Sequence, residues 1–205
     1  MEGKRQSTQD ICSLTLSIIK EMCDLKERIS APVTKMNFCW KPPQDPFVKV
    51  NFDAAFKGTL HQSYSGFIIR NSRGQVMGSG TIFNKFVSDS FTAEAIACLQ
   101  ALDFARDMGF THVHVEGDSR TTIVKINQVL PDFSDMGTYI EEIKIKTSSF
   151  QCISFQHVDR RANMVAHILA KERMSMSEDR FWVEDLPAVA EFYLARDLAS
   201  MASQS

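Results

Sequence analysis

The order of its elements constrains this chain more than any single residue does. Three strand-like runs follow one another, Val48 to Phe56, Tyr64 to Asn71 and Gln75 to Phe83, and their short connections imply an antiparallel meander. Between the second and third, Asn71-Ser72-Arg73-Gly74 has hairpin-turn chemistry, because Gly74 can take positive φ at little steric cost. A helix is predicted next, from about Ser90 to Met108, with Ser90 as its N-cap and Gly109 past its end. Then come a strand over THVHVEGDS, helices over about Ser119 to Gln128 and Gly137 to Ser148, a strand from Cys152 to His157, and a helix from Ala162 to about Met174. The later helices supply the long crossovers that parallel neighbours require, so the order demands an α/β fold with a mixed sheet.

Two appendages flank this body. From Thr8 to Ile29, Ile11, Leu14, Ile18, Met22, Leu25 and Ile29 recur at three- and four-residue spacing, one face of an amphipathic helix. Prolines at 32, 42, 43 and 46 mark an irregular connector from there. After Ser175 the segment SMSEDRFWVEDLP reads as a polar connector that sets Phe181 and Trp182 on some surface, and a last helix runs from Pro187 to about Ala199. The chain thus divides into an N-terminal helix and linker (1–39), a main domain (40–174) and a C-terminal connector and helix (175–205).

A length of 205 residues, 44% of them hydrophobic, suffices for one well-buried domain with such appendages. A formal net charge of −2 lacks the basic footprint of most nucleic-acid binders, so binding of that kind must come from a local patch or through metal ions. No apolar stretch approaches the roughly 18 residues of a membrane span, and MEGKRQSTQD lacks the apolar core of a secretory signal. The expectation is an intracellular protein of nucleus or cytoplasm, neither secreted nor membrane-bound. Five scattered cysteines without a Cys-x-x-Cys pair suit reduced thiols. His112 and His114 share a strand face, but with no nearby cysteine to complete a ligand set they read as structural or exposed strand histidines.

Three acids carry the chemistry. Asp53 sits within the first strand, in VNFDAAF, where a carboxylate is costly to bury unless paired or bound to metal. Glu94 lies near the start of the long helix, where the helix dipole also favours an acid, and Asp118 ends the fourth strand just before Ser119, where it is equally a natural N-cap. Each alone has a bland reading; together they line one crevice, at the carboxyl ends of parallel strands and the starts of the following helices. Two carboxylates about 4 Å apart repel by about 4 kcal/mol at an effective dielectric near 20, so a cluster of three needs a cation. Oxygen ligands of this kind suit Mg²⁺ or Mn²⁺, which activate water and stabilise a leaving oxygen in phosphodiester hydrolysis.

In this order, KVNFDAAF, TAEAIACLQAL, VEGDS and RRANMVAHILAK resemble the ribonuclease H family, and within it the retrotransposon-derived, plant-type branch, in which a lead like Trp40 to Pro43 precedes the first strand. The resemblance spans about Trp40 to Met174. It implies a five-stranded mixed sheet, three antiparallel strands then two parallel, flanked by helices. It also implies endonucleolytic cleavage of the RNA strand of RNA/DNA hybrids with two Mg²⁺ ions, Asp53 bridging them and Glu94 and Asp118 holding one.

The family's fourth ligand is an aspartate four residues after an asparagine. Here Asn163 is followed by His167, about one helical turn on and on the same face. Imidazole suits Mn²⁺ or Zn²⁺ better than Mg²⁺ and removes a negative charge, so the expectations are slow or manganese-dependent cleavage, or a catalytically impaired module that binds nucleic acid or, through the N-terminal helix, a protein. A hydrogen bond from His167 is the alternative to metal ligation, and Glu116 and Asp159 are the candidate substitute carboxylates. Nucleic-acid contacts are expected from Ser119, Arg160, Arg161 and Asn163, with Lys57, Arg70, Arg73, Lys171 and Arg173 as further members of a phosphate-tracking patch. Phe56, Phe67 and Phe83 read as core rather than stacking platforms. Two relatives of the fold fit less well: exonucleases carry a second acid where this chain has Ala55, and integrase-like members end on a glutamate where it has His167.

Overall fold

Alternation along the first strand decides the layering. In β1 (Val48–Lys57), Val48, Val50 and Phe52 join the main core, while Lys49, Asn51 and Asp53 point to the opposite face. The structure, a computed structural model, describes residues 39–129, 132 and 134–202, so the helix expected over Thr8 to Ile29 lies outside the described residues.

Strand β1 pairs antiparallel with β2 (Gln62–Arg70), and β2 pairs antiparallel with β3 (Val76–Lys85). The turn between β2 and β3 closes as expected, with Gly74 at φ 75° and its N–H donating to Asn71 O. Strand β4 (His112–Gly117) runs parallel to β1, and β5 (Cys152–His157) parallel to β4. The mixed sheet therefore follows the element order, but it holds six strands rather than five, in the order β5-β4-β1-β2-β3-β6. The additional strand, β6 (Arg180–Val183), is the centre of the segment read from sequence as a connector, and it pairs antiparallel with Gly78–Thr81 of β3. Phe181 holds it there, with its ring centroid 5.6 Å from Phe104 and 6.3 Å from Phe67.

One sheet face carries α1 (Ser90–Asp107), α2 (Arg120–Asn127) and α3 (Gly137–Thr147), whose Leu102, Ile123, Ile126, Ile140 and Ile143 complete the main core. The other face carries α4 (Met164–Glu172) and α5 (Ala188–Ala202), where Ile68, Val165, Leu169, Leu186 and Ala190 form a second cluster. Two helix starts differ from the sequence reading by one residue. Asp89 rather than Ser90 caps α1, accepting from Thr92 N, and Ser119 rather than Asp118 caps α2. Phe67 is core as expected, whereas Phe56 and Phe83 are only partly buried. Cys98 is a buried thiol, its pKa pushed up by burial.

The polar face of β1 is tied into a buried network. Trp40 Nε1 and Arg70 Nη2 both donate to Asn51 Oδ1, at 2.9 and 3.1 Å, and Asn51 Nδ2 donates to Glu116 Oε2 at 3.1 Å. Glu116 also pairs with Lys49, and the Arg70 guanidinium lies 3.7 Å from the Trp40 ring centroid. Arg70 Nη1 donates to Asp197 Oδ2 of α5 at 2.8 Å. Arg70 is fully buried and so is no part of a phosphate-tracking patch; Arg173, also buried, is held by Asp179 and the Met176 carbonyl.

Burial pulls both members of the Arg70–Asp197 pair toward neutrality, lowering the arginine and raising the aspartate against their mutual attraction. Removing one partner alone leaves the other charge buried. Asp197→Ala is expected to cost about 3–5 kcal/mol in chemical denaturation, and Arg70→Met combined with Asp197→Leu to recover most of it. A loss below about 1 kcal/mol for the single variant would show that the pair does not hold α5 to the sheet.

Candidate active site

The three acids meet because parallel strands end together. Phe52 and Gly117 are the last registered pair of β1 and β4, so Asp53 and Asp118 follow side by side at the carboxyl end of the pair. Glu94, near the start of α1, comes in from above. One carboxylate oxygen from each of Asp53, Glu94 and Asp118 lies within 4.8 Å of the other two, and among the described residues no other group of histidines, cysteines or acids converges in this way. His112 and His114 are accounted for otherwise: the Phe47 ring lies edge-on to the first and stacked at 4.2 Å on the second, whose Nδ1 pairs with Ser154 Oγ.

Burial and mutual repulsion disturb these acids. Burial first, then the charges of Asp53 and Asp118, hold the Glu94 carboxyl well above the usual range, although the Ala54 N–H works against them. Asp118 is raised by burial and by Asp53, and the Arg160 guanidinium opposes this. Asp53 Oδ1 and Glu94 Oε2 are buried without a donor from the rest of the chain, and the side-chain contact of Glu94 with Asp53 holds only while the two carboxyls share a proton. A lone buried acceptor of this kind is costly, and a charged one more so. Two unsatisfied carboxylate oxygens facing a three-acid cluster therefore fit a hard divalent cation.

His167 stands apart from the three. Its Nδ1 is 2.6 Å from Asp53 Oδ2, so the imidazole donates to the carboxylate and is not one of the clustered ligand groups. Its position is set by a close approach of α4 to β2. A Cβ on Gly66, the registered partner of Asp53, would lie 2.1 Å from Ala170 N and 2.6 Å from Ala166 O. Only glycine lets the helix backbone rest there. Asn163, 1% exposed, donates from Nδ2 to Phe52 O at 2.8 Å and pins the start of α4 to β1, while its Oδ1 is buried without a partner; at that burial the side chain is not presented to a nucleic acid.

The remaining expected residues divide. Arg160 Nε donates to Asp118 Oδ2 at 2.7 Å with the arginine side chain 60% exposed, at the mouth of the acid cluster. Arg161 is equally exposed and pairs with Asp159, and Ser119 Oγ is bonded to Thr122. Lys171 and Arg73 are exposed. Neither candidate substitute carboxylate reaches the site, since Glu116 is committed to Lys49 and Asn51, and Asp159 to Arg161. Sequence reasoning passed over Gly66, whose place inside a strand run was the available signal of a close backbone approach. It also passed over His157, whose Nε2 lies 3.2 Å from the Asp118 carbonyl oxygen.

A family model described as reverse transcriptase-like matches residues 51–173. Comparison with curated proteins gives no match. Among solved structures, the chain is similar to ribonuclease H1 of the halophilic archaeon Halobacterium salinarum, with 24% identity, a TM-score of 0.58, and 63% of this chain and 98% of that one covered. It is also similar to the N-terminal ribonuclease H domain of a Mycobacterium tuberculosis protein, at 20% identity, a TM-score of 0.57, and 63% and 94% coverage. A third is the ribonuclease H1 LC11 in complex with an RNA/DNA hybrid, at 17% identity, a TM-score of 0.56, and 62% and 96% coverage. These likenesses establish the fold, an α/β ribonuclease H-like architecture.

Because Glu94 is raised in the folded chain, the native state holds a proton that the unfolded state releases, and stability falls as pH rises through that interval. In EDTA, urea denaturation is expected to show stability declining from about pH 4.3, the ordinary glutamate value, upward. Glu94→Gln is expected to flatten the decline and to raise stability at pH 7. An unchanged slope in the variant would place the pH dependence elsewhere.

Proposed function

From a chain that belongs to the reverse transcriptase-like family, we propose a metal-dependent endonuclease that cleaves the RNA strand of RNA/DNA hybrids. One observation carries the reading: the two buried, unpartnered oxygens of Asp53 and Glu94 beside Asp118, in a fold shared with ribonucleases H. Asp53, Glu94 and Asp118 would hold the ion, Mg²⁺ or, in view of the imidazole at 167, Mn²⁺. When bound, a divalent cation supplies a more acidic attacking water and electrostatic stabilisation of the charge that develops on the phosphodiester.

The chain's own residues do the rest. His167 donates through Nδ1 to Asp53, which fixes that carboxylate and leaves only Nε2 of the ring for a proton or a phosphate oxygen. Arg160 holds Asp118 in place while its exposed guanidinium stands ready for a phosphate, with Arg161 and Ser119 beside it on the path of the nucleic-acid backbone. This short basic segment gives an acidic chain the local patch that binding requires. The Trp40-Lys41-Pro42-Pro43 lead before β1 supports placement in the retrotransposon-derived, plant-type branch; an intracellular site of action rests instead on the polar N-terminal sequence, and a tagged chain found in the secretory pathway would overturn it.

The His167 contact favours a second reading, in which cleavage is impaired and binding remains, because one oxygen of the central carboxylate is already engaged. A labelled RNA/DNA hybrid incubated with the protein in Mg²⁺ and in Mn²⁺ separates the two. Cleavage is expected in at least Mn²⁺, with a loss of at least about 10²-fold for Asp53→Asn, on the scale of losing a principal electrostatic group. No cleavage in either metal, with His167→Asp restoring it, would establish the second reading. No cleavage and no hybrid binding in any variant would defeat both.

A further inference from the structure

We propose that the acid cluster takes one divalent cation rather than two, because Arg160 and His167 already engage the carboxylate oxygens that a second ion would need. This rests on the metal-dependent reading above and specifies how the same site is filled.

The oxygens of the cluster divide into two sets. Asp53 Oδ2 is taken by His167 Nδ1 at 2.6 Å, and Asp118 Oδ2 by Arg160 Nε at 2.7 Å. Asp53 Oδ1 and Glu94 Oε2 are buried and unpartnered. A single cation that takes Asp53 Oδ1, Glu94 Oε2 and the second oxygen of Asp118 would satisfy both orphaned atoms and leave both hydrogen bonds in place. A second ion shared through Asp53 would have to displace the imidazole. That displacement is opposed by the seating of α4, since Ala170 N would lie 2.1 Å from a Cβ on Gly66 and Asn163 is bonded to Phe52 O, so the helix is fixed over Asp53. The His167 side chain is itself only 13% exposed, which leaves it little room to swing aside.

Charge leads to the same count. Three ionised carboxylates are neutralised by one divalent ion together with the Arg160 guanidinium. In the substrate-free chain a second divalent ion would leave the pocket in positive excess, and among the described residues no further acid answers it. Position 167 is an imidazole, Glu116 is held by Lys49 and Asn51, and Asp159 is held by Arg161. Excess positive charge without a counter-charge is disfavoured, so the residues around the site, like the occupied oxygens, oppose the second ion.

The test counts ions on the full chain. Metal-free protein is titrated with Mn²⁺ alone and read by equilibrium dialysis and low-temperature electron paramagnetic resonance, with site-bound ions defined as those lost in Asp53→Asn. The expected result is one site-bound Mn²⁺ giving the six-line spectrum of an isolated ion. His167→Asp is expected to add a second ion and an exchange-coupled signal. Since an added acid beside Asp53 can weaken folding, Arg160→Gln at an exposed side chain is the independent variant. It is expected to tighten the single ion about two- to fivefold, the equivalent of one exposed ion pair. Two coupled ions in the unaltered protein would overturn the inference and leave the metal-dependent reading standing, as would His167→Asp that still binds one. No site-bound ion at all would overturn both.

Discussion

The seating of α4 on β2 at Gly66 is the contact from which the site takes its shape. Because Gly66 is the registered partner of Asp53, a side chain there would lift the helix at the one place where it must come down beside Asp53. With no side chain between them, Asn163 reaches the Phe52 carbonyl and His167, one turn later, reaches Asp53. The acids depend on a second constraint, the parallel pairing of β1 with β4, which brings Asp53 and Asp118 to the same end of the sheet. Helix α1 then needs only a suitable angle to add Glu94. A sheet that was antiparallel throughout would put the ends of these two strands on opposite edges.

The polar face of β1 shows two fates of buried polar groups in successive positions. At Asn51 both ends of the amide are engaged, by Trp40 and Arg70 on one side and Glu116 on the other. That network joins the lead segment, three strands and α5, and its elements lock one another. Two residues on, Asp53 has one oxygen bonded and one without a partner. A fully engaged amide contributes rigidity; a carboxylate oxygen without a donor keeps an unmet demand for positive charge in a place the folded chain cannot rearrange. The contrast within one strand separates scaffold from site more sharply than burial alone, since Asn51 and Asp53 are both fully buried.

How much of this could be read from the sequence depended on the range of the interactions. The meander, the crossovers and the turn at Gly74 are local, and their order alone brought Asp53, Glu94 and Asp118 to one crevice. The strand β6 was not legible because Arg180–Val183 is short and flanked by polar residues, and its partner on β3 lies about a hundred positions earlier. Arg70 reads as a surface cation at the end of a strand; nothing near it in the chain announces Asp197 on α5. The role of Asn163 was half visible. Its place one turn before His167 put it on the correct face, but whether it faced solvent or the Phe52 carbonyl depended on how closely α4 approaches the sheet, and that was decided by Gly66 in a distant strand.

The histidine at 167 changes the balance between the metal-free protein and the loaded one. A carboxylate at that position would stand beside Asp53 and add repulsion to a pocket where burial and the charge of Asp53 already raise both Glu94 and Asp118. An imidazole instead donates a hydrogen bond to Asp53, so the chain without metal carries a lower electrostatic cost. The same bond removes an oxygen from the set open to cations, and Arg160 removes another from Asp118. A site relieved of internal repulsion has less to gain from binding a cation. Stability before binding and demand for metal are therefore set by one pair of donors, Nδ1 of His167 and Nε of Arg160, and they shift in opposite directions when either donor is replaced.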